Sequence, residues 1–267
     1  MHDDVRRTFL SLIGLAPLLP VACGDGLLGN SALEGDIDVK NLQATQWGVR
    51  PDGIADDTGA LQKALDFVAR SPGRARLTLP AGEMLLKGNV TLGPRTGRQA
   101  GVEQVILQGG GAGANGSWLH FSEGSLIVNT SNHSIRDIRV TSKTGNGIEV
   151  RPSSEFDGNY PTGSEMTNVR AEYCGGSGIT IEDCWIYLMS NVFARFNTKW
   201  GLEGKSGAKT RLACNGWTII GGESQGNGST AGARVARGGS RKGTGGGVFT
   251  GRCVQVSKFG STIRGNK

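Results

Sequence analysis

Three short strings recur through the middle of the chain: Asp137-Ile-Arg-Val140, Asn168-Val-Arg-Ala171 and Asn191-Val-Phe-Ala194. Each is followed by a second one: Gly147-Ile-Glu-Val150, Gly178-Ile-Thr-Ile181 and Gly201-Leu-Glu-Gly204. Both landmarks step by 31 residues and then by 23. A repeat of 20-odd residues that carries strand-like alternation marks a solenoid, in which each unit buries its apolar face against the next. The longer step is absorbed by the polar stretch from Arg151 to Gly163, which holds Pro152 and Pro161. Alternation sends Ile138, Val140, Ile148, Val150, Val169, Ala171, Ile179, Ile181, Val192, Ala194 and Leu202 inward. Asn215-Gly-Trp-Thr-Ile-Ile220 reads as a fourth coil, with Trp217 in its core. Val248-Phe-Thr250 and Cys253-Val-Gln-Val256 read as a last pair of strands.

Glycine fits this picture. It supplies 45 of 267 residues, more than twice the usual ~7%. It has no collagen-like period and lies between short β-branched runs, which suits many tight turns between short strands.

Residues 1–22 read as an export signal. Arg6 and Arg7 precede an apolar stretch from Phe9 to Val21, too short to span a bilayer. Arg6-Arg7-Thr8-Phe9-Leu10 resembles the twin-arginine pattern. Val21-Ala22-Cys23 resembles the end of a lipoprotein signal, which would make Cys23 a lipidation site and the lipid the only membrane link. Pro20 stands where that pattern prefers Leu, and plain cleavage near Ala22 is the alternative. Residues 23–40 read as a linker and 41–226 as the folded body. Residues 227–267 read as a Gly/Arg-rich tail, in part disordered or a last incomplete coil. From Arg234 to Lys267 there are eight basic residues and no acid, so the rest of this chain of net charge +6 carries −2. The basic bias is local, and no nucleic-acid role follows from it. Cys174, Cys184, Cys214 and Cys253 lack C-x-x-C spacing, which leaves a zinc site without support.

The start of the body is the most specific stretch. Gly48 and Asp52-Gly53 form a turn cluster, followed by Asp56-Asp57-Thr58. Leu61, Ala64, Leu65 and Val68 then mark one helix face ending near Arg70. Asp56 and Asp57 are expected to serve structure, one capping this helix and the other ordering the turn before it. Leu79-Pro80-Ala81-Gly82 closes a short strand, and Val102 to Gly111 is a strand running into three glycines.

This order of motifs, over about 65 residues, resembles the N-terminal segment of the pectate-lyase superfamily domain. The same segment occurs in rhamnogalacturonase- and epimerase-like proteins and in phage tailspikes. The resemblance implies an all-β fold, a right-handed single-stranded parallel β-helix with an N-terminal capping α-helix. It also implies a polysaccharide partner lying along the strand faces, cleaved by paired carboxylates or by base-driven β-elimination. Polygalacturonase-like members carry Asn-x-Asp and then Asp-Asp just before the second strand of successive coils. The matching places here are Gly175-Gly176-Ser177 and Thr198-Lys199-Trp200, with no carboxylate. A lyase is therefore expected over a hydrolase.

Arg170, Arg195, Tyr173 and Lys199 fall on outward or turn positions of successive coils and are the catalytic candidates. Arg139, Lys143, Trp200 and Glu203 are candidates for substrate binding. Together they suggest an acidic polysaccharide. No metal or other cofactor is expected; calcium, common in the lyase relatives, is the alternative, but it needs several convergent oxygen ligands and no Asp/Glu cluster spans the coils. His133 reads as a surface turn residue. The overall expectation is an exported carbohydrate-active protein. The alternatives are a non-catalytic glycan-binding or structural solenoid of the cell envelope, or a truncated inactive paralogue. An uncovered end coil would favour oligomers.

Overall fold

A computed structural model of the chain describes residues 39–93, 102–152, 162–205, 215–228, 246–250, 256–259 and 262–264. The export signal, Cys23, Cys214, Cys253 and the run 229–245 lie outside the described residues.

Three parallel sheets carry the fold. Sheet 1 holds Val39–Gln43, Gly73–Thr78, Val102–Gln108, His133–Arg136, Thr162–Thr167, Trp185–Ser190, Asn215–Ile220 and Val256–Phe259. Sheet 2 holds Asp52–Asp56, Gly82–Leu86, Ser117–Phe121, Ile138–Ser142, Arg170–Glu172, Phe193–Arg195, Glu223–Gln225 and Thr262–Arg264. Sheet 3 holds Val90–Leu92, Leu126–Val128, Ile148–Val150, Ile179–Glu182, Trp200–Lys205 and Gly246–Thr250. The chain visits the three sheets in turn, so each circuit adds one strand to each. The result is a right-handed parallel β-helix. In the first circuit the place of a third-sheet strand is taken by helix α1 (Thr58–Val68), which packs on Val90–Leu92. Gln62 of α1 mimics a neighbouring strand: its Oε1 accepts from Thr91 N at 2.7 Å and its Nε2 donates to Thr91 O at 3.0 Å. The edge of sheet 3 is hydrogen-bonded there without a strand.

The repeats align as the spacing requires. Arg139 pairs with Arg170, Ala171 with Ala194, and Ile148 with Ile179 and then Leu202. Each coil has three strands, however, where two were expected. The sheet 1 strands missed beside these repeats are His133–Arg136, Thr162–Thr167 and Trp185–Ser190. The recurrent Asp137, Asn168 and Asn191 begin the turn from sheet 1 to sheet 2, with φ of 55°, 51° and 54°. Asx residues tolerate this left-handed conformation and also hydrogen-bond between coils. Asn168 Nδ2 donates to Asp137 Oδ1 at 2.6 Å, and Asn191 Nδ2 to Asn168 Oδ1 at 3.2 Å. In the next coil Gly221 takes the position, at φ 62°.

The interior keeps its cross-section by compensation. Along sheet 2 one inward column shrinks from Met84 and Leu119 through Val140 to Ala171, Ala194 and Ser224. Along sheet 1 the column Ala75, Val105, His133, Ser164, Tyr187, Trp217 ends in its two largest members, where that of sheet 2 is smallest. Dense packing at constant strand number requires this exchange of volume. His133 thus belongs to the core at 1% exposure, which corrects its reading as a surface turn residue. Its Nδ1–H donates to Thr130 O at 2.6 Å, and its Nε2 accepts from Tyr187 Oη at 2.6 Å.

The two acids at the helix start hold different backbone groups. Asp57 is buried at the N-cap but makes no capping bond, because its Oδ1 accepts from Arg50 N at 2.9 Å in the preceding turn. Asp56 Oδ1 accepts from Thr58 N at 3.1 Å and from Thr58 Oγ1 at 2.6 Å. Burial raises the Asp57 carboxyl above the usual range, while the Thr58 hydroxyl lowers that of Asp56.

Candidate functional site

Alternation leaves two outward rows on sheet 2. One runs Glu83, Trp118, Arg139, Arg170, Phe193, Glu223. The other runs Leu85, His120, Thr141, Glu172, Arg195, Gln225. Adjacent strands lie about 4.8 Å apart, so each row is a ladder of touching side chains.

Cations and rings interleave along it. The Arg139 guanidinium lies 4.5 Å from the Trp118 ring centre. The Phe193 ring has Arg170 at 5.2 Å and Arg195 at 4.6 Å. Such contacts hold a guanidinium beside a ring without using up its N–H donors. Arg195 Nη2 bonds Glu223 Oε2 at 2.5 Å. Glu172, nearly buried, lies 3.5 Å from Arg139 Nε and 4.0 Å from Arg195 Nη1. Arg170 has no carboxylate within ion-pair distance among the described residues, and its buried Nε has no hydrogen-bond partner there. Three arginines thus face two carboxylates, and the middle one is unneutralised. At the end of the strands Tyr173 stacks on Phe196, with centroids 5.2 Å apart. Both stay exposed, at 57% and 43%.

Of the residues singled out from sequence, Arg139, Arg170 and Arg195 share this face, and Tyr173 borders it. Lys143 is exposed just past Ile138–Ser142. Lys199 is exposed in the turn that leads to sheet 3, where its backbone N–H donates to Gly176 O. Glu203 stands on the outer face of sheet 3, accepting from Ser177 Oγ at 2.8 Å, so it does not share the arginine face. Trp200 is 5% exposed and points inward with Leu202, two residues on; it has no free ring face for a sugar, contrary to expectation. Trp118, His120, Phe193 and Phe196 escaped the sequence reading. The signal for the first two was the alternation in Ser117-Trp-Leu-His-Phe121.

Calcium does not fit this face. Glu83, Glu172 and Glu223 are spread over several strands, and each engages His120 or an arginine. No group of three or more His, Cys, Asp or Glu able to hold a metal occurs among the described residues. Cys174 and Cys184 are buried, and burial pushes the Cys174 thiol up to about 12.

No protein-family model matches the chain, and no curated protein matches it. Solved structures do. A Geobacillus virus E2 protein, ORF18, aligns with a TM-score of 0.53 at 13% identity, over 72% of this chain and 43% of its own. A putative glycosyl hydrolase from Parabacteroides merdae gives 0.49 at 13%, over 84% and 98%. A tailspike from Acinetobacter baumannii bacteriophage Fri1, a capsular polysaccharide depolymerase, gives 0.48 at 15%, over 83% and 50%. The chain therefore spans less than half of the viral protein and half of the tailspike. At these identities the likeness speaks for the fold alone, and that fold is the parallel β-helix built above.

Proposed function

We propose that the chain binds an acidic polysaccharide along the outer face of sheet 2 and cleaves it by β-elimination, after export. The observation that carries this reading is the Arg139–Arg170–Arg195 ladder, interleaved with Trp118 and Phe193 and bordered by Tyr173 and Phe196. Rings offer flat apolar faces to sugar rings, and a guanidinium accepts a carboxylate through two parallel hydrogen bonds. Arg170 is the free anion receptor, since its neighbours share Glu172 and Glu223. A second reading, glycan binding without turnover, follows from the absence of a carboxylate at the hydrolase positions.

Replacing Arg170 with Ala is expected to weaken binding of polygalacturonate or alginate about tenfold or more, as for a charged hydrogen bond. Neutral dextran is expected not to bind either form. Affinity electrophoresis in gels cast with each polymer reads both. Equal retardation by dextran and by the acidic polymers would remove the charge-based argument. Unsaturated products, seen by ultraviolet absorbance, separate cleavage from binding alone.

A further inference from the structure

We propose that His120 is the proton-accepting residue of this face and that Glu83 is its positioning residue. The proposal rests on the reading that a uronate polymer lies along sheet 2. His120 lies on Ser117–Phe121 and Glu83 on the adjacent Gly82–Leu86. His120 Nδ1 meets Glu83 Oε1 at 2.5 Å. A carboxylate can only accept, so Nδ1 carries a proton, and in the neutral ring that leaves the lone pair on Nε2. Nε2 makes no hydrogen bond to the described residues. The pair is only partly shielded, with the two side chains about one-third exposed.

The surroundings hold the pair in place. Trp118 stacks on the imidazole with planes 3° apart and centroids at 5.2 Å. The indole is itself fixed, because its Nε1 donates to Thr141 Oγ1 at 2.9 Å. A Cβ at Gly53 would lie 3.1 Å from Glu83 Cδ, so glycine there leaves room for the carboxylate. Arg139, against the same indole, is the nearest cation of the ladder. The other charged groups facing this end are Asp52 and Asp56, opposite Glu83 and Leu85 in the sheet. A base oriented by a carboxylate beside a guanidinium is what removal of the proton next to a carboxylate needs. In that step His120 Nε2 takes the C5 proton of a uronate whose carboxylate meets Arg139. The C–H electron pair forms the C4–C5 double bond, the C4–O bond breaks, and the leaving oxygen takes a proton from water.

The test uses the full chain with polygalacturonate and alginate in heavy water. It follows absorbance of unsaturated ends, deuterium entry at C5 by NMR, and glycan affinity. The expected result is elimination or C5 exchange by the wild type. In folded His120→Gln that rate falls at least about a hundredfold, while affinity changes less than threefold. Glu83→Gln is expected to lower kcat about tenfold with KM nearly unchanged. His120→Asn, with circular dichroism on every variant, guards against a folding artefact. Wild-type rates in both folded His120 variants would overturn the assignment. Binding by the wild type with neither elimination nor exchange would overturn it too, while leaving the binding face intact. Loss of binding by the wild type itself would sink both.

Discussion

Asn197→Ala is expected to cost about 2–4 kcal/mol of folding stability. The Asn197 side chain is fully buried in the turn from sheet 2 to sheet 3. Its Oδ1 accepts from Cys174 N at 3.0 Å, and its Nδ2 donates to Ala171 O at 3.1 Å. Those contacts tie it to the coil before. Its Nδ2 also donates to Asn227 Oδ1 at 2.9 Å, and its backbone N donates to the same oxygen at 3.0 Å. Those tie it to the coil after. Asn227 repeats the pattern, donating to Ala194 O at 2.9 Å. Truncation strands a buried N–H and a buried carbonyl, each costing about 1–3 kcal/mol. Urea unfolding would show it as a lower midpoint at unchanged slope. A loss under about 0.5 kcal/mol would mean the ladder is ornamental.

Acid is expected to weaken the fold as pH falls from 6.5 toward 4. Burial pushes the His133 imidazole down to about 4 from 6.5, because neither Thr130 O nor Tyr187 Oη compensates for lost hydration of a cation. Between those two values the unfolded chain takes up a proton that the folded chain refuses. Stability from this residue is therefore complete above pH 6.5 and is lost as pH falls toward 4. A gap of about 2.5 units corresponds to roughly 3 kcal/mol. Glu165 adds a further loss only at lower pH. Burial alone would raise its carboxyl, but the bonds from Arg136 and Ser134 outweigh that and hold it below the usual range. Asp57, raised by burial, works in the opposite sense. Unfolding free energies measured from pH 7 to 4.5 should fall steeply in the wild type and much less in His133→Gln. Parallel curves would show that His133 is not the group responsible.

The sequence made sheets 2 and 3 legible because their local rules are strict. A left-handed turn selects Asp or Asn, and two alternating aliphatic positions follow, so Asp137, Asn168 and Asn191 set the coil register. The sheet 1 strands His133–Arg136, Thr162–Thr167 and Trp185–Ser190 were hidden because their inward column departs from aliphatic residues at His133, Ser164 and Tyr187. Those residues satisfy one another inside the solenoid, which nothing local announces. Trp200 could have been placed correctly, since it shares parity with Leu202. The Glu83–His120 contact could not, because it joins residues 37 apart through the register of two strands whose connection varies from coil to coil.

The central claim is that an acidic polymer lies along sheet 2, and hydroxyl-radical footprinting of the wild type tests it most directly. With saturating polygalacturonate or alginate, Trp118, His120, Tyr173 and Phe196 should lose reactivity together. Trp185 and Ile186, exposed on sheet 1, should keep theirs. Protection of Trp185 and Ile186 with the sheet 2 residues unchanged would contradict the account.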